Sequence, residues 1–392
     1  MSTVIDVKEY IPDKYSEFNI RRFKVGKIRI EKPTKVLDAK TISLRVFQNY
    51  EKEFDVKIFE SSIYVQQNTI ERILNENDNK AVANHFKFRR WMKEYNFAVT
   101  TTLQFNPIRE YSLKKVQRYL RYVYEYSNPF VFAPNIKIEK YKKFGKKNVK
   151  VTTADLKDYI QFVDEIVEFL DKRNSKPIFV PISLRFGIND LVRLINHYLQ
   201  QEYKCLWIDF EGTPVSETRI ARLRVIFDEV EEKEELENTV VYATNIRREI
   251  ISNIADPKSP ASDVLTSLIG ANVIGTNREP RRPQEAKKEK EIDRRDLLKH
   301  KARLFDPQTY YYFKVLDYIG EEERRSTLLR KDVNTIENAK RLGLEFDLQA
   351  NFFLDNGTIK DYVSSKPMLN EYKNGELLST LFPQQVSLKE WY

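Results

Sequence analysis

Two carboxylates follow a short apolar run in the middle of the chain. The run Cys205-Leu-Trp-Ile-Asp209 is typical of a buried strand, and Glu211 stands two residues beyond it. Because alternate residues of an extended strand point the same way, both carboxylates are predicted to face one site. Such a pair can hold a divalent cation, for example Mg²⁺, or divide acid and base roles. The alternative is structural: Asp209 is hydrogen-bonded internally, and Glu211 caps a loop or pairs with an arginine.

Polar residues also stand at the ends of other apolar runs, where parallel α/β folds place their chemistry. An arginine at such a position suits phosphate or carboxylate groups because its planar fork matches them. The same arginines can instead pair with Asp209 and Glu211 in a structural network. The candidate substrate-binding residues are Asn135, Ser183, Arg185, Asn245, Arg247, Asn277 and Arg278.

Motifs of several common enzyme classes are absent from the sequence. There is no HExxH, GxxxxGK[ST], GxGxxG or GxSxG pattern, so zinc hydrolysis, P-loop hydrolysis and serine-hydrolase chemistry are poorly supported. The single cysteine, Cys205, excludes an intramolecular disulfide and a multi-cysteine zinc site. No zinc is therefore expected, and Mg²⁺ at the two carboxylates stays open.

The elements that would position these residues are strands alternating with helices. Short apolar runs occur near residues 36, 60, 98, 130, 178, 205, 240 and 273, with helical periodicity between most of them. This alternation predicts an α/β fold of parallel βα units, and eight units predict a (β/α)8 TIM-type barrel. An open doubly wound sheet is the alternative if the runs near 36 and 60 lie outside it.

Composition shifts divide the chain into four predicted regions. A short β-rich N-terminal extension covers residues 1–34, the barrel 35–283, a charged linker 284–296 and a helical C-terminal region 297–392. The linker is predicted from its charge and its lack of apolar periodicity. Further predicted helices cover residues 247–254, after the seventh strand, and 334–342, ending near Gly343.

The net charge of +9 favours a polyanionic partner, although 58 acidic residues stand among 67 basic ones. Lys114, Arg118 and Arg121 share one face of a predicted helix at 112–127, and its tyrosines 119, 122 and 126 share another. Lysines neutralise phosphates and aromatic rings stack on unpaired bases; a solvated lysine surface is the alternative. A predicted basic loop supplies Lys140, Lys142, Lys143, Lys146 and Lys147, interleaved with aromatic residues.

Hydropathy along the chain argues against a membrane partner. No stretch approaches the roughly 20 apolar residues that a membrane span needs. The segment 1–13 carries acidic and polar residues and lacks the apolar centre of a secretory signal. A cytoplasmic protein is therefore expected.

The last predicted strand and its flanks carry a family resemblance. The segment Gly270-Ala-Asn-Val-Ile-Gly-Thr-Asn-Arg-Glu-Pro-Arg281 is similar to one in which a Gly-Val/Ala-Asp start leads to a catalytic Asp and then to Pro-Thr-Arg. Ile30-Glu-Lys-Pro33 resembles the opening strand of the same family, the tRNA-guanine transglycosylases. The similarity covers roughly residues 177–283 and implies a (β/α)8 barrel that acts on RNA.

Several motifs of that family differ in this chain. Its nucleophilic Asp falls near Gly275 or Thr276, and its guanine-recognising Asp falls near Asn135. Thr100-Thr-Thr-Leu-Gln-Phe105 occupies the place of the Asp-Ser-Gly-Gly/Ser-Phe segment, and the Cys-x-Cys-x-x-Cys…His zinc site is absent. Family members that have lost catalytic residues can serve as partner subunits, so the resemblance also implies a homodimer or heterodimer.

Three functions from different classes follow. The first is a transglycosylase-like protein that binds nucleic acid, RNA rather than DNA, whether catalytic or degenerate. The second is a different barrel enzyme in which Asp209 and Glu211 are catalytic, with or without Mg²⁺, on a small phosphorylated or carboxylated substrate. The third is a scaffold that uses the barrel for assembly.

Overall fold

The computed structural model describes residues 5–76, 78–95, 97–105, 112–144, 147–152, 154–173, 175–250, 256–278 and 302–383. The chain opens with a three-stranded antiparallel sheet in the order β1-β2-β3. Its strands are β1 (Asp6–Pro12), β2 (Asn19–Val25) and β3 (Ile28–Ile30). One face of this sheet is apolar and buried, so it must pack against the rest of the protein.

Two parallel sheets form the centre of the fold. The six-stranded sheet has the order β4-β16-β14-β13-β12-β8 and the four-stranded sheet the order β5-β6-β7-β9. The α/β class predicted from the sequence is confirmed. Every predicted apolar run contributes at least one strand to these two parallel sheets. The strands are β4 (Thr34–Lys35), β5 (Leu37–Asp38), β6 (Ile58–Val65), β7 (Ala98–Phe105), β8 (Val131–Phe132), β9 (Asn135–Ile136), β12 (Ile178–Ser183), β13 (Cys205–Asp209), β14 (Val240–Thr244) and β16 (Val273–Ile274).

Two chain segments contribute to both sheets. Only Val36 separates β4 from β5; its N–H donates to Ile274 of the first sheet at 2.8 Å, and Ala39 donates to Glu60 of the second at 3.0 Å. In the same way, only residues 133 and 134 separate β8 from β9. Each edge strand of the first sheet is therefore followed almost directly by an edge strand of the second.

Helices connect most of the parallel strands. In α6 the Asp155 side chain caps the first turn by accepting the N–H of Asp158 at 2.8 Å, and one face buries Phe162, Ile166 and Leu170. An apolar face of this kind is what packs a helix onto a sheet. The helices are α1 (Leu44–Tyr50), α2 (Gln67–Leu74), α3 (Asn79–Phe86), α4 (Arg90–Glu94), α5 (Leu113–Tyr126), α6 (Leu156–Asp171), α7 (Ile188–Gln200) and α8 (Glu217–Glu232), with 3₁₀ turns at Glu51–Glu53, Leu236–Asn238 and Asp263–Thr266.

The predicted helix over 247–254 is wrong for residues 247–250. The backbone N–H of Arg247 donates to Thr213 at 3.0 Å, and that of Ile250 donates to Pro260 at 2.9 Å. Glu249 also forms an antiparallel bridge with Ala261, so this segment has sheet-like rather than helical backbone. Residues 251–254 lie outside the described part of the chain.

An aromatic core fills the space enclosed by the parallel strands. Phe132 lies 4.8 Å from Tyr242 and 5.5 Å from Trp207, measured between ring centroids. Phe23 and Ile30 of the N-terminal sheet belong to the same buried cluster. The N-terminal sheet therefore covers this core at the amino ends of the strands, which leaves the carboxyl ends as the place for a site.

The C-terminal region begins with strands rather than helices. β15 (Lys258–Pro260), β17 (Arg303–Asp306) and β18 (Tyr311–Lys314) form an antiparallel sheet in the order β15-β18-β17. The prediction of helix from residue 297 is therefore wrong over 303–306 and 311–314. Tyr312 is buried while its neighbour Phe313 is half-exposed. Adjacent residues that face opposite sides suit a strand better than a helix.

The rest of the described C-terminal region is helical, as predicted. The predicted helix 334–342 is part of α11, which continues through Gly343 and ends at Gly357 in the left-handed region. A glycine in a helix costs only about 1 kcal/mol, and the buried residues on both sides outweigh it. The helices are α9 (Val315–Tyr318), α10 (Glu322–Leu328), α11 (Lys331–Asn356), α12 (Lys360–Ser364), α13 (Pro367–Glu371) and α14 (Glu376–Leu381), with a 3₁₀ turn at Tyr372–Gly375.

The predicted basic loop is a β-hairpin. β10 (Glu139–Phe144) pairs antiparallel with β11 (Lys147–Thr152), so Lys140, Lys142, Lys143 and Lys147 lie on strands. Lys146 and the predicted linker 284–296 lie outside the described residues. No helix within the described part of the chain is both long and apolar enough to cross a membrane.

Candidate functional site

A hydrogen-bonded network lies where the central parallel strands end. Asp209 closes β13 and is 1% exposed. Its Oδ1 accepts the backbone N–H of Glu211 and an amide N–H of Asn245, each at 2.9 Å. Its Oδ2 accepts an amide N–H of Asn135, also at 2.9 Å. Three residues predicted from three separate strand ends therefore meet at one carboxylate.

Two residues that the sequence argument missed set the orientation of these amides. The Tyr159 hydroxyl, from α6, donates to Asn135 Oδ1 at 2.9 Å. The Ser62 hydroxyl, from β6, donates to Asn245 Oδ1. Because each amide oxygen has a donor, each amide nitrogen is directed at Asp209. A tyrosine on the buried face of the α6 helix was the one available signal for this contact.

Glu211 lies beyond the strand in a left-handed conformation, with φ at 52°. Strand alternation does not place it there, because β13 ends at Asp209. Its Oε1 accepts the Ser183 hydroxyl at 3.0 Å, and its Oε2 lies 3.3 Å from Arg185 Nε. A non-glycine residue in this conformation costs about 1 kcal/mol, so the surroundings hold it.

The electrostatic environment of Glu211 favours its protonated form. Burial raises the pKa of the Glu211 carboxyl, Asp209 raises it further, and Arg185 lowers it. Asp209, by contrast, accepts three N–H groups. The two carboxylates therefore have different environments although they are neighbours.

This arrangement does not fit a magnesium ion. N–H donors point at Asp209 and a guanidinium points at Glu211, whereas Mg²⁺ needs oxygen atoms that are free to coordinate it. Across the described residues, no group of three or more His, Cys, Asp or Glu side chains is placed to hold a metal. The geometry instead matches the structural alternative, in which Asp209 is hydrogen-bonded and Glu211 pairs with an arginine.

Two other predicted arginines lie apart from this network. Arg278 Nη1 donates to Gln104 Oε1, on β7, at 2.7 Å, and its guanidinium lies 5.9 Å from the ring centroid of Tyr64 on β6. The Nε of Arg247 is buried and has no hydrogen-bond partner. Both arginines follow strand ends, as predicted, but neither pairs with the two carboxylates.

Asn277 belongs to a different cluster. Its Nδ2 donates to Asp263 at 2.8 Å, and its Oδ1 accepts from Lys35 at 3.0 Å. Tyr312 donates to the same Asp263 carboxyl from β18. Burial raises the pKa of Asp263 to about 6, while Lys35 lowers it. These three contacts are internal, and they link β4, β16 and the C-terminal sheet. The substrate-binding role predicted for Asn277 stays a prediction.

A further buried carboxyl, that of Glu60 on β6, was not predicted. Burial raises the pKa of Glu60, against its hydrogen bonds. A methyl group at Gly275 would lie 2.5 Å from Thr244 Oγ1 and closer still to Glu60 Oε2. The side-chain space beside Gly275 is therefore already occupied. The donors to Glu60 are the hydroxyls of Thr102, Thr244 and Tyr242 and the backbone N–H of Thr276, at 2.7 to 2.9 Å.

The basic face predicted for helix α5 is exposed, but one of the three tyrosines predicted on its aromatic face is buried. Lys114, Arg118 and Arg121 are all exposed. Tyr119, however, is fully buried and its hydroxyl lies 2.8 Å from His85 Nε2. Tyr119 is therefore unable to stack on a base, because its ring is used in the core.

No family model and no curated protein matches this chain.

Proposed function

We propose that the two sheets close into one (β/α)8 barrel. Four strands, β5, β6, β7 and β9, run from one shared segment to the other, and β12, β13, β14 and β16 complete the ring through β8 and β4. The shared segments at residues 34–38 and 131–136 support this reading, because a closed sheet leaves no free edge. All pairings in the ring are parallel, as in a TIM-type barrel.

We further propose that the mouth of this barrel binds an unpaired nucleotide of a nucleic acid. The network around Asp209 carries this proposal, because it fixes amide and carboxyl groups where barrel enzymes hold their substrates. Amide and carboxyl groups are the side chains that hydrogen-bond base edges. The net charge of +9 and the exposed basic face of α5 support a polyanionic partner. The resemblance to tRNA-guanine transglycosylases favours RNA over DNA.

The protein in this proposal binds a base without exchanging it. The resemblance puts the family's nucleophile near Gly275 or Thr276, and Gly275 has no side chain. Glu60 is the nearest carboxyl, but four donors surround it and it is fully buried. A carboxylate in that state is a poor nucleophile because its lone pairs are engaged. The chain is thus proposed as a degenerate, base-binding relative of the transglycosylases.

Binding of a mixed tRNA pool at about 50 and 200 mM salt tests the proposal, since phosphate contacts release counterions and the affinity should fall steeply. Changing Lys114, Arg118 and Arg121 together to Gln should reduce the salt slope by up to about three. The matched control replaces three cations on other surfaces, Arg193, Lys172 and Arg90. No binding by the wild type at the lower salt would reject the proposal, and single-stranded DNA that binds more tightly than RNA would reject its RNA part.

Incubation with tRNA and labelled guanine tests the absence of exchange. No label should enter the tRNA above a control without protein. Incorporation would show that another group acts as nucleophile, and Asp209→Asn and Glu211→Gln would then identify it.

A second function is favoured by one observation, the strained and buried Glu211. Its raised pKa suits a group that gives and takes a proton. We propose as the alternative an acid–base enzyme acting on a small phosphorylated or carboxylated substrate held by Arg185. Its signature would be a pH-dependent turnover that Glu211→Gln abolishes while the protein remains folded.

A further inference from the structure

We infer that the mouth contains a phosphate-binding subsite formed by Lys40, Arg247 and Arg278, here called the cationic arc. The inference rests on the proposed function and deepens it. It states that the occupant is a nucleotide held by its phosphate, and it assigns the phosphate and the base to different sides of the mouth.

The three cations follow neighbouring strands. Arg247 comes after β14 and Arg278 after β16, and these strands pair in parallel. Beyond the strands Ile246 bridges Asn277, and the Arg278 N–H donates to Ile246 at 2.9 Å, so the two arginines are adjacent in register. Lys40 follows β5, which continues β4, the other neighbour of β16. The arc is therefore continuous along one side of the mouth.

None of these three side chains forms an ion pair within the described residues. Arg278 donates to a neutral amide oxygen, that of Gln104, which leaves most of its N–H groups for another acceptor. Burial lowers the pKa of Lys40, Asp38 and Glu60 raise it, and Arg278 lowers it, so Lys40 and Arg278 act on each other. An anion that joins two neighbouring cations is favourable because it offsets their repulsion.

Two buried donors in the same place lack acceptors. Arg247 Nε is buried without a hydrogen bond, and so is Gln104 Nε2, on a side chain that is 5% exposed. An unsatisfied buried donor is unfavourable, so native proteins rarely keep one without a reason. Gln104 already accepts from Arg278, so the orphan nitrogen belongs to an amide that touches the arc. A phosphate supplies several acceptor oxygens, which is what these donors lack.

The strand ends of β12 and β13 have the reverse character. There Arg185 is neutralised by Glu211, and the buried Asp209 is held by Asn135. A phosphate would be repelled from that side and attracted to the arc, while a base with N–H groups suits the carboxyl side. Barrels of this class commonly hold phosphate beyond their seventh and eighth strands, the positions of β14 and β16 in chain order.

Titration calorimetry with the four ribonucleosides and their 5′-monophosphates tests the inference, at about 50 mM salt. At least one monophosphate should bind about tenfold or more tightly than its nucleoside, as expected for one charge-assisted contact. Arg278→Gln should remove most of that difference. Arg193→Gln, which changes an exposed and unpaired arginine on α7, should retain it. Equal affinities for nucleoside and monophosphate, or a difference that Arg278→Gln leaves intact, would overturn the subsite.

A second arm uses a single-stranded RNA of about ten nucleotides, in which the phosphates are diesters. If Arg278→Gln weakens RNA and monophosphate alike, the arc accepts either source of phosphate; if it weakens RNA alone, the nucleotide subsite is overturned. Lys40→Gln repeats both arms if Arg278→Gln does not fold. Wild-type protein that binds neither RNA nor nucleotides would reject the proposed function as well. RNA binding that neither arc variant changes would reject the cationic arc alone.

Discussion

Substitution of Gly275 by alanine is a direct test of how the interior beside Glu60 is packed. The added methyl group would lie 2.5 Å from Thr244 Oγ1 and 2.6 Å from Thr244 Cβ, and nearer still to Glu60 Oε2. Real Cβ atoms do not approach other atoms this closely, so one of the two neighbours must move. The backbone conformation of Gly275 is open to other residues, because its φ is not positive. The cost of the substitution is therefore one of packing.

The magnitude follows from three contributions. Forcing a methyl group into a filled core costs about 1–3 kcal/mol. Moving Glu60 breaks or weakens at least one of its four hydrogen bonds, and a bond to a charged group contributes about 1.5–3 kcal/mol. Alanine reduces the entropy of the unfolded chain, which returns about 0.5–1 kcal/mol. The expected loss in unfolding free energy is roughly 2–5 kcal/mol.

Urea unfolding followed by tryptophan fluorescence measures this loss. Gly343→Ala is the matched control, because nothing lies within 4 Å of the added methyl and the residue is inside a helix. That control should gain about 0.5–1 kcal/mol. In a Glu60→Ala background, Gly275→Ala should cost clearly less, since the nearest obstacle is gone. A Gly275→Ala protein as stable as the wild type, or the same cost in both backgrounds, would refute this account of the interior.

Three further perturbations address the buried acids and the network at the mouth. Burial raises the pKa of Asp263 from its usual 3.8 to about 6, so the native state holds that proton more tightly than the unfolded chain. Its contribution to stability is therefore lost as pH rises from about 4 to 6, by roughly 3 kcal/mol, and Asp263→Asn should remove that pH dependence from urea titrations. Glu211→Gly should raise stability by about 1 kcal/mol, because glycine relieves the left-handed strain, while weakening ligand binding. Tyr159→Phe leaves Asn135 Oδ1 without its donor and should cost about 1–3 kcal/mol together with nucleotide affinity.

Two of these variants have a control within the chain, and Asp263→Asn is compared with the wild type. Glu202→Gly relieves a similar strain, at φ 60°, on an exposed loop after α7, and should stabilise the protein without affecting ligand binding. Tyr198→Phe removes a hydroxyl that donates to the Pro181 carbonyl at 2.8 Å and should leave affinity unchanged. An identical pH profile for Asp263→Asn and the wild type would contradict the Asp263 argument. A Glu211→Gly protein that is less stable would show that the Ser183 and Arg185 contacts outweigh the strain.

The parallel strands were predictable because their sequences carry a strong local signal. Runs such as Cys205–Asp209 are apolar throughout, which is typical of strands buried on both faces. The failures occur where distant contacts decide the structure. Residues 247–250 have helical composition, yet their N–H groups bond to other segments. Residues 303–314 are dense in aromatics, and the pairing of β17 with β18 and of β18 with β15 selects strand over helix.

The site was predictable in its location and less so in its connections. Residues at strand ends converge in a parallel fold whatever their partners, so Asn135, Asp209 and Asn245 could be grouped from sequence alone. Which donor meets which acceptor depends on side chains from elsewhere, such as Tyr159. No periodicity indicates that contact, since a buried tyrosine on α6 looks like any other core aromatic. The sequence argument therefore found the carboxylates but not the groups that hold them.

The three buried carboxyls near the strand ends differ in what they are free to do. Glu60 is enclosed by four donors beside the parallel strands, so it has a structural role and bars a side chain at Gly275. Asp209 accepts three N–H groups, which fix its orientation where the strands end. Glu211 alone has a strained backbone, a hydroxyl and a guanidinium as partners, and a pKa raised by burial and by Asp209. Any proton that moves where these strands end should therefore move at Glu211.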